Sequence, residues 1–285
     1  MPRACLLCQH LKPLEHALFK KSACASFAAL IQPGLRRIES EIPVMPTACS
    51  APPLGFGETR TWLLGQYALL TVSASILLWV FEHTDLDREV IRYFFNPTRG
   101  EFPLRHAWLL DAVLHQGAKM ASYILVTASL YYCWQGWKNR LTWLPPRNAM
   151  LAAIGMLAIP LATTTLKLLT QRHCPWDIVD FGGYAPYSHL FEILPESVKV
   201  GQCFPAGHAS AGFLWLVWAV ALRPAGVRAA RLGLLAGLLA GGLFGAARML
   251  QGAHFLSHTL WTLWLAWAMS VGLAVLMRAD IRSGP

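Results

Sequence analysis

Apolar stretches close to the length of a bilayer crossing recur between residues 61 and 277, and that recurrence restricts the fold more than anything else in the chain. In hydrocarbon every backbone polar group must be satisfied within the protein, so only helices and closed barrels span a membrane. Runs of about 20 apolar residues fit the helix and are twice what a barrel strand needs. With 55% of residues hydrophobic and only 14% charged, the chain is too apolar for a soluble domain of this length. The pattern predicts an all-α bundle of six transmembrane helices, a polytopic membrane protein in an inner (plasma) membrane.

The spans are expected at residues 61–81, 116–137, 150–170, 205–222, 232–250 and 256–277. Trp62 and Trp79 sit near the ends of the first, where interfacial aromatics belong. The second carries Lys119, which must snorkel or face a polar cavity. The third contains Pro160, tolerable in a membrane helix as a kink. The fifth is rich in Gly and Ala, as close helix contact requires.

The net charge of +9 is carried by short loops and tails, not by a basic stripe with interleaved aromatics, so nucleic acid is not an expected partner. The second loop holds Lys138, Arg140 and Arg147 and the fourth Arg223, Arg228 and Arg231, neither with an acid. These should be cytoplasmic. The first loop has six acids against four arginines, and the third has Asp177, Asp180, Glu192 and Glu196 against Arg172 and Lys199. Both should face outward, with the amino and carboxyl termini inside. Residues 1–60 are expected to be a disordered or interfacial cytoplasmic tail, with Met45 an alternative start, and residues 278–285 a second cytoplasmic tail. Cys5 and Cys8 form a C-x2-C beside His10, but no second ligand pair follows at zinc spacing, so no metal site is expected.

Under this topology three polar clusters share one membrane face. Lys167, Arg172 and His173 lie where the third span ends; Ala206, Gly207 and His208 open the fourth; Arg248, His254 and His258 bridge the fifth and sixth. Singly, each reads as interfacial anchors or an ordinary helix start. Together they suit a phosphoryl centre, whose charge is spread over three equatorial oxygens and is stabilised by fixed cations and backbone donors. Lys167, Arg172 and Arg248 supply cations, and the N–H groups of Ala206, Gly207 and His208 supply donors at a helix start. Imidazole serves both as nucleophile and as proton donor near neutral pH.

In order, the clusters resemble the motifs of the type 2 phosphatidic acid phosphatase and vanadium haloperoxidase superfamily: Lys-x6-Arg-Pro, Pro-Ser-Gly-His and Ser-Arg-x5-His-x3-Asp. The resemblance covers residues 61–277. It implies a phosphohistidine on His254, general acid catalysis by His208, a phosphate clamp of Lys167, Arg172 and Arg248, and no cofactor. The departures are specific. Cys174 stands in the arginine slot before Pro175, with Arg172 two residues earlier; Ala206 and Ala247 replace serines; and His258 stands where the family has the aspartate that orients the nucleophile.

The expected function is metal-independent dephosphorylation of a membrane lipid phosphate or diphosphate at the periplasmic face. The same site would serve a lipid-to-lipid phosphotransferase. A non-enzymatic transporter or anionic-lipid-binding membrane protein is the alternative of another class, and a haloperoxidase needs no six-span membrane domain. The loop at residues 171–204, rich in aromatics, is expected either to cap the site or to contact lipid headgroups. Cys174 and Cys203 both fall in it, and bonded to each other they would contribute ~3 to 4 kcal/mol by closing the chain between them.

Overall fold

The computed structural model describes residues 55–282, and there the chain is helical, with no strand among the described residues. Eight helices follow in order: α1 (Gly55–His83), α2 (Leu86–Arg92), α3 (Gly117–Trp137), α4 (Pro146–Thr170), α5 (Gly207–Phe213), α6 (Val217–Ala221), α7 (Val227–Leu250) and α8 (Leu256–Leu276). A π-helical stretch over Leu109–Gln116 leads into α3. Four helices, α1, α4, α7 and α8, are long and apolar enough to cross a membrane. The chain is a multi-pass membrane protein.

The expected second and fourth spans differ from these four. The second, α3, has the length for a crossing at 21 residues, but Tyr, Ser, Gln and Trp dilute its hydropathy. The fourth is two short helices joined by a 3-10 turn over Leu214–Leu216. At Gly207–Ala221 it is shorter than the bilayer core. It packs against α4, α7 and α8, with Leu216, Val217, Val220 and Ala221 fully buried. The first span also begins earlier than expected, since α1 is helical from Gly55 with Glu58 in its first turn, where a carboxylate favours the helix dipole. Most of the expected amino-terminal tail, residues 1–54, lies outside the described residues.

Within hydrocarbon, helix association cannot draw on the hydrophobic effect, so packing depends on how closely backbones approach. α7 answers with Gly233, Gly237, Gly241 and Gly245, one per turn, all buried. A methyl group added at Gly241 would lie 2.0 Å from the Phe213 ring, and one at Gly237 2.7 Å from Leu216. These glycines let α5 and α6 lie directly on α7. At the end of the bundle away from α5's start, Asn148 is fully buried and donates to the carbonyls of Ala221 and Asp280 at 3.0 and 2.8 Å. It joins α4, α6 and the segment after α8.

Beyond the start of α8 a second core forms, from Ile91, Phe102, Ile178, Phe181, Met249 and Phe255. Phe95, Phe102 and Phe181 meet edge to face with centroids 5.2 to 5.6 Å apart, a favoured aromatic geometry. Gly252, at φ +71, takes a left-handed conformation beneath the Phe102 ring, where a Cβ would be 2.4 Å away. This cluster fastens α2 and the 171–204 loop over the α7–α8 hairpin. That loop carries a Cys174–Cys203 disulfide.

Candidate active site

The three sequence clusters converge at one end of the bundle. α4 brings Lys167 to the start of α5, where a Cβ at Gly207 would lie 3.5 Å from its Nζ. Arg248, in the last turn of α7, donates to Nε2 of His208 at 2.9 Å. Guanidinium has no lone pair, so this contact defines Nε2 of His208 as an acceptor. The rings of His208 and His254 are 6.1 Å apart, and those of His254 and His258 5.8 Å. Gly207 and His208 open α5, and first-turn N–H groups have no intrahelical carbonyl to bond.

His254 lies in the turn between α7 and α8 and is buried. Burial, reinforced by His258, His208, Lys167 and Arg248 around it, holds its imidazole well below the ordinary histidine value. It is therefore neutral, the form that carries a nucleophilic lone pair. Its Nδ1 is enclosed and has no hydrogen-bond partner among the described residues. His258 stands edge-on beside it, packed between Phe204 and Phe255 at 5.3 Å from each. The ring also approaches the Cys203 carbonyl. Its Nδ1 is likewise buried without a partner, so no hydrogen bond joins the two imidazoles in this arrangement.

Two expected phosphate-binding groups are placed otherwise. The N–H of Ala206 is taken by the Thr262 hydroxyl at 2.8 Å, because Pro205 and Ala206 are threaded against α8 before α5 begins. It is a structural donor, not an open one. Arg172 points into the outer loop, donating to Ser188 Oγ at 2.9 Å and the Glu192 carbonyl at 2.6 Å. Gln171, at φ 55, ends α4 in a left-handed turn, which swings Arg172 away from the last turn of α4 that holds Lys167.

The site also contains residues that motif spacing did not reveal. Gln251 accepts from Arg248 at 2.6 Å and donates to the Arg105 carbonyl at 3.4 Å, linking the segment before α3 to Arg248. The exposed Arg105 guanidinium lies 4.7 Å over the Trp176 ring, and the Trp176 N–H bonds the Gly252 carbonyl at 3.0 Å. Asp87 of α2 accepts from the Ser257 N–H at 2.8 Å and from the Ser257 hydroxyl. It thereby caps α8 one residue before His258. Burial, partly offset by those hydrogen bonds, pushes its carboxyl up to about 6. Beside it a cavity of about 30 Å³, bordered by Arg172, Tyr187 and His258, has room for a water or two. Cys174, Asp177 and Cys203 lie together, but both sulfurs belong to the disulfide and Asp177 accepts from the Cys174 N–H at 3.3 Å.

One end of the helical bundle thus gathers His208, His254 and His258 with Lys167 and Arg248. Residues 148–282 match the model of the PAP2 superfamily. The match contains Lys167, His208, Arg248 and His254. A crystal structure of a transmembrane PAP2-type phosphatidylglycerolphosphate phosphatase from Bacillus subtilis is similar at 16% identity and a TM-score of 0.43, over 75% of this chain and 94% of that one. No curated protein matches the chain.

Proposed function

We propose that the protein is a membrane lipid phosphatase that works through a phosphohistidine on His254, without a metal ion. The observation that carries this reading is the buried, neutral His254 set among His208, Lys167 and Arg248 at one end of the bundle. The family match supports it.

On binding, the substrate phosphate takes N–H bonds from Arg248 and Lys167. Arg248 then releases Nε2 of His208, which takes up a proton from solvent. Nε2 of His254 attacks phosphorus, the bond from phosphorus to the lipid oxygen breaks, and His208 gives its proton to that oxygen. Water then attacks the phosphohistidine, His208 takes the water's proton, and inorganic phosphate leaves. As positive charge grows on His254, its Nδ1–H turns toward His258. A His258 whose Nε2–H faces the Cys203 carbonyl has a lone pair on Nδ1 to accept it. The third cation in this reading is Arg105 rather than Arg172, because Gln251 ties its backbone to Arg248 and Arg172 is committed to the outer loop. Fixed cations thus supply the charge stabilisation that a metal supplies elsewhere.

The site faces the periplasm of an inner membrane in this reading, which the loop charges support. A reporter active only outside should work when fused after Tyr187 and fail after Arg228. The substrate is tested by incubating detergent-solubilised protein with purified lipid mono- and diphosphates and counting both released and transferred phosphate. Release above the His254→Ala background supports hydrolysis; transfer without release assigns a lipid acceptor instead; neither product from any lipid rejects the proposal.

A further inference from the structure

Two adjoining hollows lie between α1, α7 and α8. One is apolar, about 530 Å³, walled by leucines of all three helices together with Trp264 and Trp267. The other, about 220 Å³, is bordered by Arg223, Arg231 and Trp62. Gln66, Leu234 and Trp267 line both, so they form one groove with a cationic mouth. Along α1 it runs from Trp62 to Leu77, roughly 20 Å at the helical rise. Along α7, Arg231 stands roughly 25 Å from Arg248. The cationic mouth is therefore at the opposite end from the catalytic cluster, while the apolar end reaches Leu77, which also borders the cavity beside His258.

We infer that this groove binds one anionic phospholipid, its phosphate on Arg223 and Arg231 and one acyl chain between α1 and the α7–α8 pair. The volume falls in the range of about 300 to 1,000 Å³ typical of ligand pockets. Its length exceeds the ~15 Å half-thickness of a hydrocarbon core, enough for one leaflet's chain. Only an amphiphile matches both parts: leucine and tryptophan walls select hydrocarbon, and guanidinium groups select phosphate, which they bind in a two-pronged fashion. Arg223 is held in place by stacking 4.7 Å over Trp62 and by donating to the Ile281 carbonyl. Arg231 is exposed and has no hydrogen-bond or ion-pair partner among the described residues. Glu58 opposes them with one negative charge near Arg223, which leaves the mouth positive. Trp264 and Trp267 bond α1 at the Leu70 carbonyl and Gln66 Oε1, each at 2.9 Å. A chain lying between these ties would fill the gap that keeps α1 from closing on α7.

The test is native mass spectrometry and thermal melting of the full chain in detergent, with orthovanadate present to occupy the catalytic cluster. Phosphatidylglycerol should remain bound as a single lipid and raise Tm, and phosphatidylcholine with the same chains should do neither. Arg231→Gln and, separately, Ser73→Phe should each weaken retention at least tenfold, whereas Arg248→Gln should leave it unchanged. Ser73→benzoylphenylalanine should crosslink to lipid on illumination. Equal retention of both lipids, or retention unaffected by the two groove variants, would overturn the inference. So would a crosslink to residues 1–54 or to a second copy, because the groove would then belong to protein.

Discussion

Gly212→Ala should damage catalysis without touching any reacting group. Gly212 faces the backbone of α7, and a Cβ built on it lies 2.3 Å from the Gly241 nitrogen and 2.4 Å from the Ala240 carbonyl carbon. Ordinary contact needs about 1 Å more, and a neighbouring backbone cannot rotate aside as a side chain can, so α5 must move off α7; such overpacking costs roughly 1 to 3 kcal/mol. The movement has a specific consequence. His208 lies one turn earlier on α5, and Arg248 lies two turns beyond Gly241 on α7, so the 2.9 Å contact between them opens to beyond hydrogen-bonding distance. A displacement of this size at a reacting geometry costs on the order of 100-fold in rate. Gly242→Ala is the control, since a Cβ there meets nothing within 4 Å; it should leave turnover unchanged and raise Tm slightly through better helix propensity, worth up to ~1 kcal/mol. Melting in detergent and phosphate release from the best lipid substrate read both effects. Wild-type Tm and turnover in Gly212→Ala would refute the packing argument.

Asp87→Asn keeps an acceptor for the Ser257 N–H and removes the titration. A carboxyl raised to about 6 lends stability that is fully present below its ordinary 3.8 and is lost as pH rises through about 6, so the wild-type advantage over Asp87→Asn should shrink between about pH 4 and 8 by up to ~3 kcal/mol; a Tm difference that stays flat with pH contradicts this. Arg105→Ala should weaken inhibition by orthovanadate, a mimic of the transferring phosphoryl group, by roughly tenfold or more, the worth of a charge-assisted hydrogen bond. Arg172→Ala should lower Tm and leave inhibition intact, and inhibition curves of the two variants decide which arginine belongs to the clamp.

What the sequence made legible was whatever lies in one short stretch of chain. Lys167, His208, Arg248 and His254 each sit in a local motif at the end of an apolar run, and topology alone placed those ends on one side. The contributions of Asp87, Arg105 and Gln251 depend on distant segments meeting: Asp87 and Ser257 are 170 positions apart, and no spacing rule reaches so far. Sequence makes Ala206 look like an open donor because its partner, Thr262, comes from a helix more than fifty residues on. Arg172 was the nearest cation to the expected slot, yet the left-handed turn at Gln171 redirects it. That the fourth apolar run folds as the two short helices α5 and α6, packed inside protein, is not legible in hydropathy, which reports burial in protein and burial in lipid alike. In α7 the glycine repeat was visible, but which helix it admits was not.

The central claim is that a covalent phosphohistidine forms on His254. The direct measurement is a rapid mixing of protein with a phosphate-labelled lipid, quenched in base, where phosphohistidine survives, followed by peptide mass mapping. The account predicts label on the peptide containing His254 within a single turnover, its accumulation in Arg248 variants slowed in step with phosphate release, and none in folded His254→Ala protein. Phosphate release at the wild-type rate by folded His254→Ala protein, or label on a different residue, would contradict it.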